Sequence, residues 1–211
     1  MVFNSSQRFK GYSLNSSWDL GPDMTADLHG ILMRFRENKF GAQGDIRKMY
    51  YGVRVTKEEE FMQLYIWRFK GEDDIRMFAM TRLVMGNKPS ANCSQIALRE
   101  TALLADNSER YPEAAKVLIY NSYVDNTFTT CDSYEGIQCN IKQIETVAEQ
   151  GGFKYKPWVV SGENVADQLL VSGTDNNQNE KALGVFWDVK ADSLFIKARI
   201  ESKKRCSCSS M

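Results

Sequence analysis

Two aspartates, Asp45 and Asp125, have the residue type and setting that a metal-dependent reaction needs. Asp45 ends a short predicted strand that contains two glycines, and Asp125 belongs to the dipeptide Asp125-Asn126, which suits a tight turn between short strands. Carboxylates on neighbouring strands can hold Mg²⁺, which takes one or two of them together with waters and substrate phosphates. Because 80 residues separate the two aspartates, spacing alone favours the plainer interpretation, a strand-end residue and a turn pair.

The other common catalytic groups are poorly represented. The only histidine, His29, falls in a predicted helix without neighbouring ligands, which argues against serine and cysteine hydrolase chemistry. No Cys-x-x-Cys pair occurs, so the cysteines are interpreted as free thiols in a reducing compartment rather than as zinc ligands. Any chemistry therefore falls to carboxylates with a hard ion, Mg²⁺ or Mn²⁺. The five cysteines are Cys93, Cys131, Cys139, Cys206 and Cys208.

The composition is that of an ordinary globular chain. Its 211 residues predict one domain, or one with a small annex, and 43% of them are hydrophobic. Lys plus Arg and Asp plus Glu both number 27, so binding of nucleic acid through bulk charge is not indicated, although a local basic groove remains possible. No apolar run suits a membrane span or a signal peptide, which predicts an intracellular protein, cytoplasmic or nuclear and not secreted.

Predicted strands are interrupted by single helices, which indicates a mixed α+β fold. One helix is expected from Pro22-Asp23, with Asp23 as its N-cap, to about Asn38. Residues 47–55 fit either a helical turn or a strand, and residues 172–181 form a polar linker. The remaining predictions are strands over 40–46, 63–69, 75–80, 153–160, 183–188 and 194–200, and helices over 91–104, 135–150 and from Tyr111-Pro112 onward.

Six blocks of sequence carry a resemblance to a known family. Gly44-Asp45-Ile46-Arg47-Lys48-Met49-Tyr50 places an aromatic residue five positions after an Asp, and Tyr123-Val124-Asp125-Asn126 stands where the family has Tyr-x-Asp-Asp. With these blocks in order, the chain resembles the reverse transcriptases of Bel/Pao-type LTR retrotransposons over about residues 2–200. In order, the six blocks are the opening segments (2–6, 13–15, 21–23 and 32–36), 44–50, 85–90 with 97–102, 111–114 with 123–126, 151–153 with Lys156 and Trp158, and 182–188.

The resemblance implies a right-hand polymerase palm with partial fingers, in which an antiparallel sheet carries packed helices. It assigns a fingers remnant to 1–40 and 56–85, palm to 41–55 and 86–160, and a connection or primer-grip-like hairpin to 182–200. Residues 201–211 are predicted to be a disordered tail. Asp45 is expected to lie beside the Asp125-Asn126 turn on one sheet, with helix 91–104 packing Ile96, Leu98 or Leu103 beneath it.

The implied activity is that of an RNA-directed DNA polymerase, in which a primer 3′-hydroxyl attacks a deoxynucleoside triphosphate. Asp45, Asp125 and Asn126 would be the catalytic residues, and Asp45 and Asp125 would ligate the metals. The implied partners are a primed RNA or DNA template, deoxynucleoside triphosphates and the remainder of a retrotransposon polyprotein, from which the chain is expected to be an excised or decayed piece. Candidate contacts to nucleic acid or phosphate are Arg34, Arg36, Lys88, Lys154 and Lys156, although isolated basic residues are usually only solvated.

The resemblance also implies a nucleotide-binding set. The backbone from Ile46 to Met49 would face the triphosphate, and Gly86 would lie in the loop that follows the fingers. Tyr50 would pack under the sugar and exclude a ribose 2′-hydroxyl, with an ordinary core aromatic as the alternative.

One departure from the family bears directly on activity. Asn126 replaces the second Asp of the Tyr-x-Asp-Asp motif, and a neutral amide oxygen is a weaker ligand for a hard metal than a carboxylate. The expectation is therefore a weakened or inactive polymerase. Two alternatives stay open, namely a catalytically dead palm that still binds nucleic acid, and a relic without function or a protein-interaction module.

Overall fold

The computed structural model describes residues 3–161 and 179–196, which contain seven α-helices and nine strands. The helices are α1 Leu28–Arg34, α2 Met49–Gly52, α3 Lys57–Glu60, α4 Ser90–Leu103, α5 Ala105–Arg110, α6 Pro112–Tyr120 and α7 Tyr134–Gln150. The strands are β1 Phe40–Asp45, β2 Leu64–Trp67, β3 Arg76–Ala79, β4 Ser122–Tyr123, β5 Asn126–Cys131, β6 Val159–Val160, β7 Asn179–Ala182, β8 Val185–Asp188 and β9 Ser193–Phe195.

The central sheet has four strands in the order β4-β5-β1-β6, and its neighbouring strands are antiparallel. In the pairing of β1 with β5, Phe40 lies opposite Cys131 and Asp45 lies opposite Asn126. A two-stranded hairpin, β2-β3, and a three-stranded sheet, β7-β8-β9, complete the described strands. The predicted α+β class with an antiparallel sheet and packed helices is confirmed.

One face of the central sheet packs against helices. Ala42 and Ile46 of this face share a core with Leu98 of α4 and with α6 and α7. Gly44 lies on the same face, where a Cβ atom would sit 2.7 Å from the Trp158 ring, so only glycine leaves room for that indole. The α4 prediction is confirmed at Leu98, whereas Leu103 is exposed. The helix predicted over 135–150 is present as α7, and its apolar residues Ile137, Ile141, Ile144 and Val147 are buried.

The opposite face carries a smaller aromatic core. Phe35, which follows α1, packs edge-on against Phe128 of β5 and Trp187 of β8, with ring centroids 5.3 and 4.9 Å apart. Gly41 of β1 faces Phe35, and a Cβ atom there would lie 2.9 Å from that ring. Trp187 thereby joins the β7-β8-β9 sheet to the central sheet.

The β2-β3 hairpin was predicted and is present, but its burial is unusual. Ile66 and Met77 lie directly opposite each other in the ladder and are 69% and 68% exposed. Ile75 and Leu64, which continue the same alternation, are also exposed. The side chains of these four residues, Leu64, Ile66, Ile75 and Met77, form what we call the apolar hairpin face.

Three of the secondary-structure predictions were wrong in detail. Helix α1 begins at Leu28 rather than at Pro22-Asp23, because Asp27 caps it and Asp23 instead accepts a hydrogen bond from Thr25 N in a local turn. The strand expected over 153–160 is reduced to β6. Segment 47–55, for which a helical turn and a strand were both open, contains the one-turn helix α2. Residues 179–181, placed in a linker, belong to strand β7, which pairs with β8 through backbone groups.

The described residues include no helix that is both long and apolar enough to cross a membrane. The predicted tail over 201–211, most of the linker and the end of the last predicted strand lie outside the described residues.

Candidate active site

The pairing of β1 with β5 brings together the two aspartates, which are 80 residues apart in the sequence. Asp45 is the last residue of β1 and lies opposite Asn126, the first residue of β5. The next backbone amide, that of Ile46, donates to the Asp125 carbonyl oxygen at 2.7 Å. The prediction that Asp45 and the Asp125-Asn126 segment lie side by side on one antiparallel sheet is therefore confirmed.

The turn between β4 and β5 differs from the expected one. Tyr123 pairs with Asn126, so the two turn residues are Val124 and Asp125, and Asn126 already belongs to the strand. Val124 adopts φ +53°, a left-handed conformation that is rare for a β-branched side chain. Such strain costs on the order of 1–3 kcal/mol and persists only where the surroundings impose it.

Three amide side chains surround this turn. Gln95, buried on α4, donates from Nε2 to the carbonyl oxygen of Val124. Asn126 donates from Nδ2 to Asp125 Oδ1 at 3.2 Å, and its own Oδ1 accepts from Gln43 Nε2 at 3.2 Å. The amide of Asn126 therefore presents its nitrogen, and not its oxygen, to Asp125.

Asp45 forms an ion pair with Lys156. Lys156 Nζ lies 2.9 Å from Asp45 Oδ1, and the Lys156 amide donates to the Asp45 carbonyl oxygen at 2.8 Å. Oδ1 is itself buried and accepts no well-aligned hydrogen bond from the described residues. The ion pair thus compensates the charge of Asp45 without satisfying that oxygen fully.

The surroundings of Asp125 raise the pKa of its carboxyl group. Burial raises its pKa above the ordinary value of 3.8, and the negative charge of Asp45 raises it further. A backbone hydrogen bond and the charge of Lys156 oppose these effects in part. Asp45 is therefore close enough to repel the Asp125 carboxylate, and a cation bound beside the pair would offset that repulsion.

Tyr50 borders the same site. Its side chain is half-buried, and its pKa is raised by burial and then by the charge of Asp125. The charge of Asp125 therefore acts on the Tyr50 hydroxyl group. Packing under the sugar itself stays a prediction.

The other predicted nucleotide-binding residues have structural contacts of their own. The side chains of Ile46 and Met49 are buried in the helix-packed core, and the Ile46 amide is engaged by Asp125. Gly86 has φ +110°, and a Cβ atom there would lie 1.9 Å from the Phe3 carbonyl oxygen. Gly86 thus permits the N-terminal segment to approach the loop, and nucleotide binding by these three residues stays a prediction.

Several of the candidate basic residues bind protein groups. Arg34 donates to Asn121 Oδ1 and to the Tyr120 carbonyl oxygen, at 2.6 and 2.7 Å. Arg36 forms an ion pair with Asp192 at 2.7 Å, and Lys88 Nζ donates to the Trp18 carbonyl oxygen at 3.0 Å. These contacts give the three residues a role in joining segments of the chain.

The donor set fits one hard divalent ion better than two. Asp45 and Asp125 offer carboxylate oxygens, which suit Mg²⁺ or Mn²⁺ with waters completing the coordination. Among residues 3–161 and 179–196, no three or more His, Cys, Asp or Glu side chains are arranged so that they could hold a metal ion together. Asp45, Asp125 and Lys156 together carry a formal charge of −1, which is little for two divalent ions.

Sequence reasoning overlooked the residues that support the aspartates. Gln43 lies two residues before Asp45, so strand alternation alone places it on the same face. Gln95 occupies the buried side of α4 with Leu98 and Ala102, at i, i+3 and i+7, and a polar residue in such a stripe signals a buried partner. The left-handed Val124 has no sequence signal that we recognise.

Several solved structures of foamy viral enzymes share this arrangement of elements. The foamy viral protease-reverse transcriptase dRH in complex with double-stranded DNA superposes with a TM-score of 0.61, at 13% identity over 94% of this chain and 28% of that chain. The chain therefore has a reverse transcriptase-like fold. Further matches are the foamy viral enzyme with an RNA/DNA hybrid (TM-score 0.59, 12% identity, 88% of this chain, 21% of that chain) and with double-stranded DNA (0.54, 14%, 88%, 32%).

The likeness lies in the fold. This chain spans between about a fifth and a third of the length of those viral proteins. No family model and no curated protein sequence matches it.

Proposed function

We propose that the chain is an RNA-directed DNA polymerase domain of reduced activity, in which Asp45 and Asp125 hold a catalytic divalent ion. One observation carries the proposal. In a reverse transcriptase-like fold, the β1-β5 register and the Val124-Asp125 turn bring two carboxylates from distant segments to one site. The negative charge of Asp45 raises the pKa of Asp125, and a bound cation would offset this repulsion.

The primer 3′-hydroxyl group would lose its proton to solvent water as its oxygen bonds to the α-phosphorus of a deoxynucleoside triphosphate. The bond from that phosphorus to the bridging oxygen would break, and pyrophosphate would leave. A bound Mg²⁺ or Mn²⁺ would supply Lewis-acid neutralisation of the developing charge. Asp45 and Asp125 contribute the anionic oxygens that hold the ion. Ile46, Met49, Tyr50 and Gly86 are the proposed nucleotide-binding residues, and the charge of Asp125 helps to raise the pKa of Tyr50.

Reduced activity follows from the charge of the site. Asn126 supplies no anionic oxygen, and its nitrogen is directed at Asp125. Lys156 already neutralises one carboxylate, so an incoming ion competes with an ammonium group 2.9 Å from Asp45 Oδ1. Metal affinity is therefore expected to be low, with Mn²⁺ preferred over Mg²⁺ because it binds a given site more tightly.

The finer origin of the chain is part of the same proposal. The ordered sequence blocks support a Bel/Pao-type LTR retrotransposon polyprotein, the remainder of which would be the partner of this domain. The proposed subdivision is fingers over 1–40 and 56–85, palm over 41–55 and 86–160, and a primer-grip-like hairpin over 182–200. The β2-β3 and β8-β9 hairpins fall in the first and the last of these regions.

Primer extension tests the proposal. The wild-type chain, Asp45→Ala and Asp125→Ala are compared on a primed RNA template with Mg²⁺ or Mn²⁺ and deoxynucleoside triphosphates. We expect slow extension by the wild type, strongest in Mn²⁺, and none by either variant. Extension that survives both substitutions would place the chemistry elsewhere.

A catalytically dead palm that binds nucleic acid is the second candidate. The ion pair of Lys156 with Asp45 favours it, because the pair gives the site a cation without any metal. Absence of extension, together with affinity for a primer–template that falls as salt rises, would support this alternative.

A further inference from the structure

We infer that Gln95 of α4 is a positioning residue for the Asp125 carboxylate and that it acts through the backbone of Val124. The inference rests on the proposed function, because it concerns the carboxylate site. It assigns to Gln95, which touches neither aspartate side chain, the task of holding the turn in the shape that directs Asp125 toward Asp45.

The turn needs such a restraint because its first residue is strained. Val124 has φ +53°, whereas a β-branched side chain disfavours the left-handed region. A free Tyr-Val-Asp-Asn turn would relax to a commoner geometry, and Asp125, the next residue, would move with it. The hydrogen bond from Ile46 N to the Asp125 carbonyl oxygen holds one end only.

Gln95 is suited to hold the other end. Its side chain is 5% exposed, and α4 is anchored by Leu98 and Ala102, which are fully buried in the helix-packed core. The Nε2 group therefore has a fixed position, from which it donates to the carbonyl oxygen of the strained residue. Its hydrogen bond orients the peptide unit between Val124 and Asp125.

A second restraint acts on the Asp125 side chain. Asn126 Nδ2 donates to Asp125 Oδ1, and Gln43 Nε2 fixes the orientation of the Asn126 amide through its Oδ1. Gln43 Nε2 is also held by the Lys181 carbonyl oxygen at 3.3 Å. Gln43 of β1 thus restrains the Asp125 side chain through Asn126, and Gln95 of α4 restrains the backbone through Val124. Asp125 can therefore move little unless the turn itself changes shape.

Manganese binding with a strain-relieving second substitution tests the inference. Mn²⁺ alone is titrated into the full chain and free Mn²⁺ is followed by electron paramagnetic resonance, for wild type, Gln95→Met, Val124→Gly and the double variant. Gln95→Met keeps the length of the side chain and removes the donor. We expect it to weaken Mn²⁺ affinity by about 10- to 100-fold, as loss of a group that orients a metal ligand does.

The rescue distinguishes positioning from general support of the fold. Glycine adopts positive φ without penalty, so Val124→Gly is expected to restore Mn²⁺ affinity in the double variant. Gln95→Glu, which replaces the donor by an acceptor, is the second variant and should lose at least as much affinity. Gln143→Met, on α7 and away from the site, is the matched control and should bind as wild type.

The outcomes separate the two proposals. Wild-type affinity in both Gln95→Met and Gln95→Glu, or a loss that Val124→Gly does not rescue, would overturn the positioning role. Unchanged affinity in Asp45→Ala and Asp125→Ala would instead overturn the proposed metal site. Weakened binding in Gln95→Met that Val124→Gly restores supports both.

Discussion

At Asp125, burial and a neighbouring negative charge act in the same direction. Both raise the pKa of the carboxyl group above its ordinary value of 3.8, so the folded protein binds that proton more tightly than the unfolded chain does. The contribution of this group to the free energy of unfolding therefore falls as pH rises from the ordinary value through the raised one, and stays lost at higher pH.

This sign predicts that Asp125→Asn stabilises the metal-free protein. We expect a higher Tm than that of the wild type at pH 7, and a gain that disappears below the ordinary carboxyl pKa, where the wild-type group is protonated as well. Thermal unfolding in the presence of a chelator, measured across the acid range, checks this. Asp73→Asn, at an exposed position in the β2-β3 turn, should show no such gain.

A substitution at the neighbouring position, Asn126, is expected to strengthen metal binding. Asn126→Asp adds an anionic oxygen beside Asp45 and Asp125, and we expect Mn²⁺ affinity to rise about tenfold, equivalent to about 1.4 kcal/mol. Without metal the same variant should be less stable, because it removes the donor to Asp125 and places a third carboxylate nearby.

Calorimetric titration of Mn²⁺ into the wild type and Asn126→Asp measures this effect, with Asp45→Ala as the negative control. Equal affinities for the first two proteins would show that position 126 lies outside the site. Tight binding that survives Asp45→Ala would show that the site itself is misplaced.

These residue-level features were predictable to different degrees. From the sequence, Asp45 and Asp125 could be paired only through the ordered resemblance. Two strands 80 residues apart give no local indication of which of their residues lie opposite each other. The turn was assigned to Asp125-Asn126 because those residue types tolerate left-handed geometry, and Val124 took that geometry instead because its neighbours restrain it. Tertiary restraint of this kind is invisible to local propensity.

At the level of elements, Trp187 is central to the attachment of the β7-β8-β9 sheet. Trp187 is fully buried between Phe35 and its own sheet, and its Nε1 donates to Asp192 Oδ1 at 3.0 Å. Arg36 binds the same carboxylate at 2.7 Å. The aromatic contact and this short network together fix the small sheet to the segment that follows α1.

We expect Trp187→Ala to lower the free energy of unfolding by about 3–5 kcal/mol, as for other buried large aromatic residues. The loss should be local, so hydrogen exchange should accelerate in β8 and β9 before it does in α4 and α7. Denaturant unfolding and exchange measured by mass spectrometry test this. Phe195→Ala, at a half-buried position in the same sheet, should cost less, and uniform acceleration across all elements would contradict the prediction.

The elements whose apolar residues recur with a clear helical or strand period were predicted from the sequence. An element that exists only because its backbone pairs with a neighbouring strand was not. Helix α7 shows a clear apolar stripe that the core buries, and β1 and the β2-β3 hairpin follow from strand formers and turns. Strand β7 is polar in sequence and exists because β8 offers it a ladder. The start of α1 was misplaced because two aspartates, Asp23 and Asp27, both suit an N-cap.

For the whole molecule, charge sets the expected mode of nucleic-acid binding. The formal net charge is zero, so attraction must come from a local arrangement of basic groups rather than from the overall field. We expect weak binding of an RNA/DNA hybrid, with log K falling linearly against log salt at a slope of about −0.9 for each phosphate contacted.

Fluorescence anisotropy over a salt series checks this expectation. A slope near zero would mean that few phosphates are contacted and would argue against a nucleic-acid-binding role. Lys154→Ala should reduce the slope by about one if that residue contacts a phosphate, whereas Lys116→Ala, which disrupts an exposed ion pair with Glu113 on α6, should leave it unchanged.

The apolar hairpin face has a consequence for handling the protein. Leu64, Ile66, Ile75 and Met77 are exposed on a two-stranded ladder that pairs with no other strand among the described residues. Such an open edge templates pairing between molecules, so we expect self-association at high concentration. Ile66→Lys should raise the concentration at which light scattering begins, with Mn²⁺ binding unchanged, and an onset equal to that of the wild type would show that other surfaces drive aggregation.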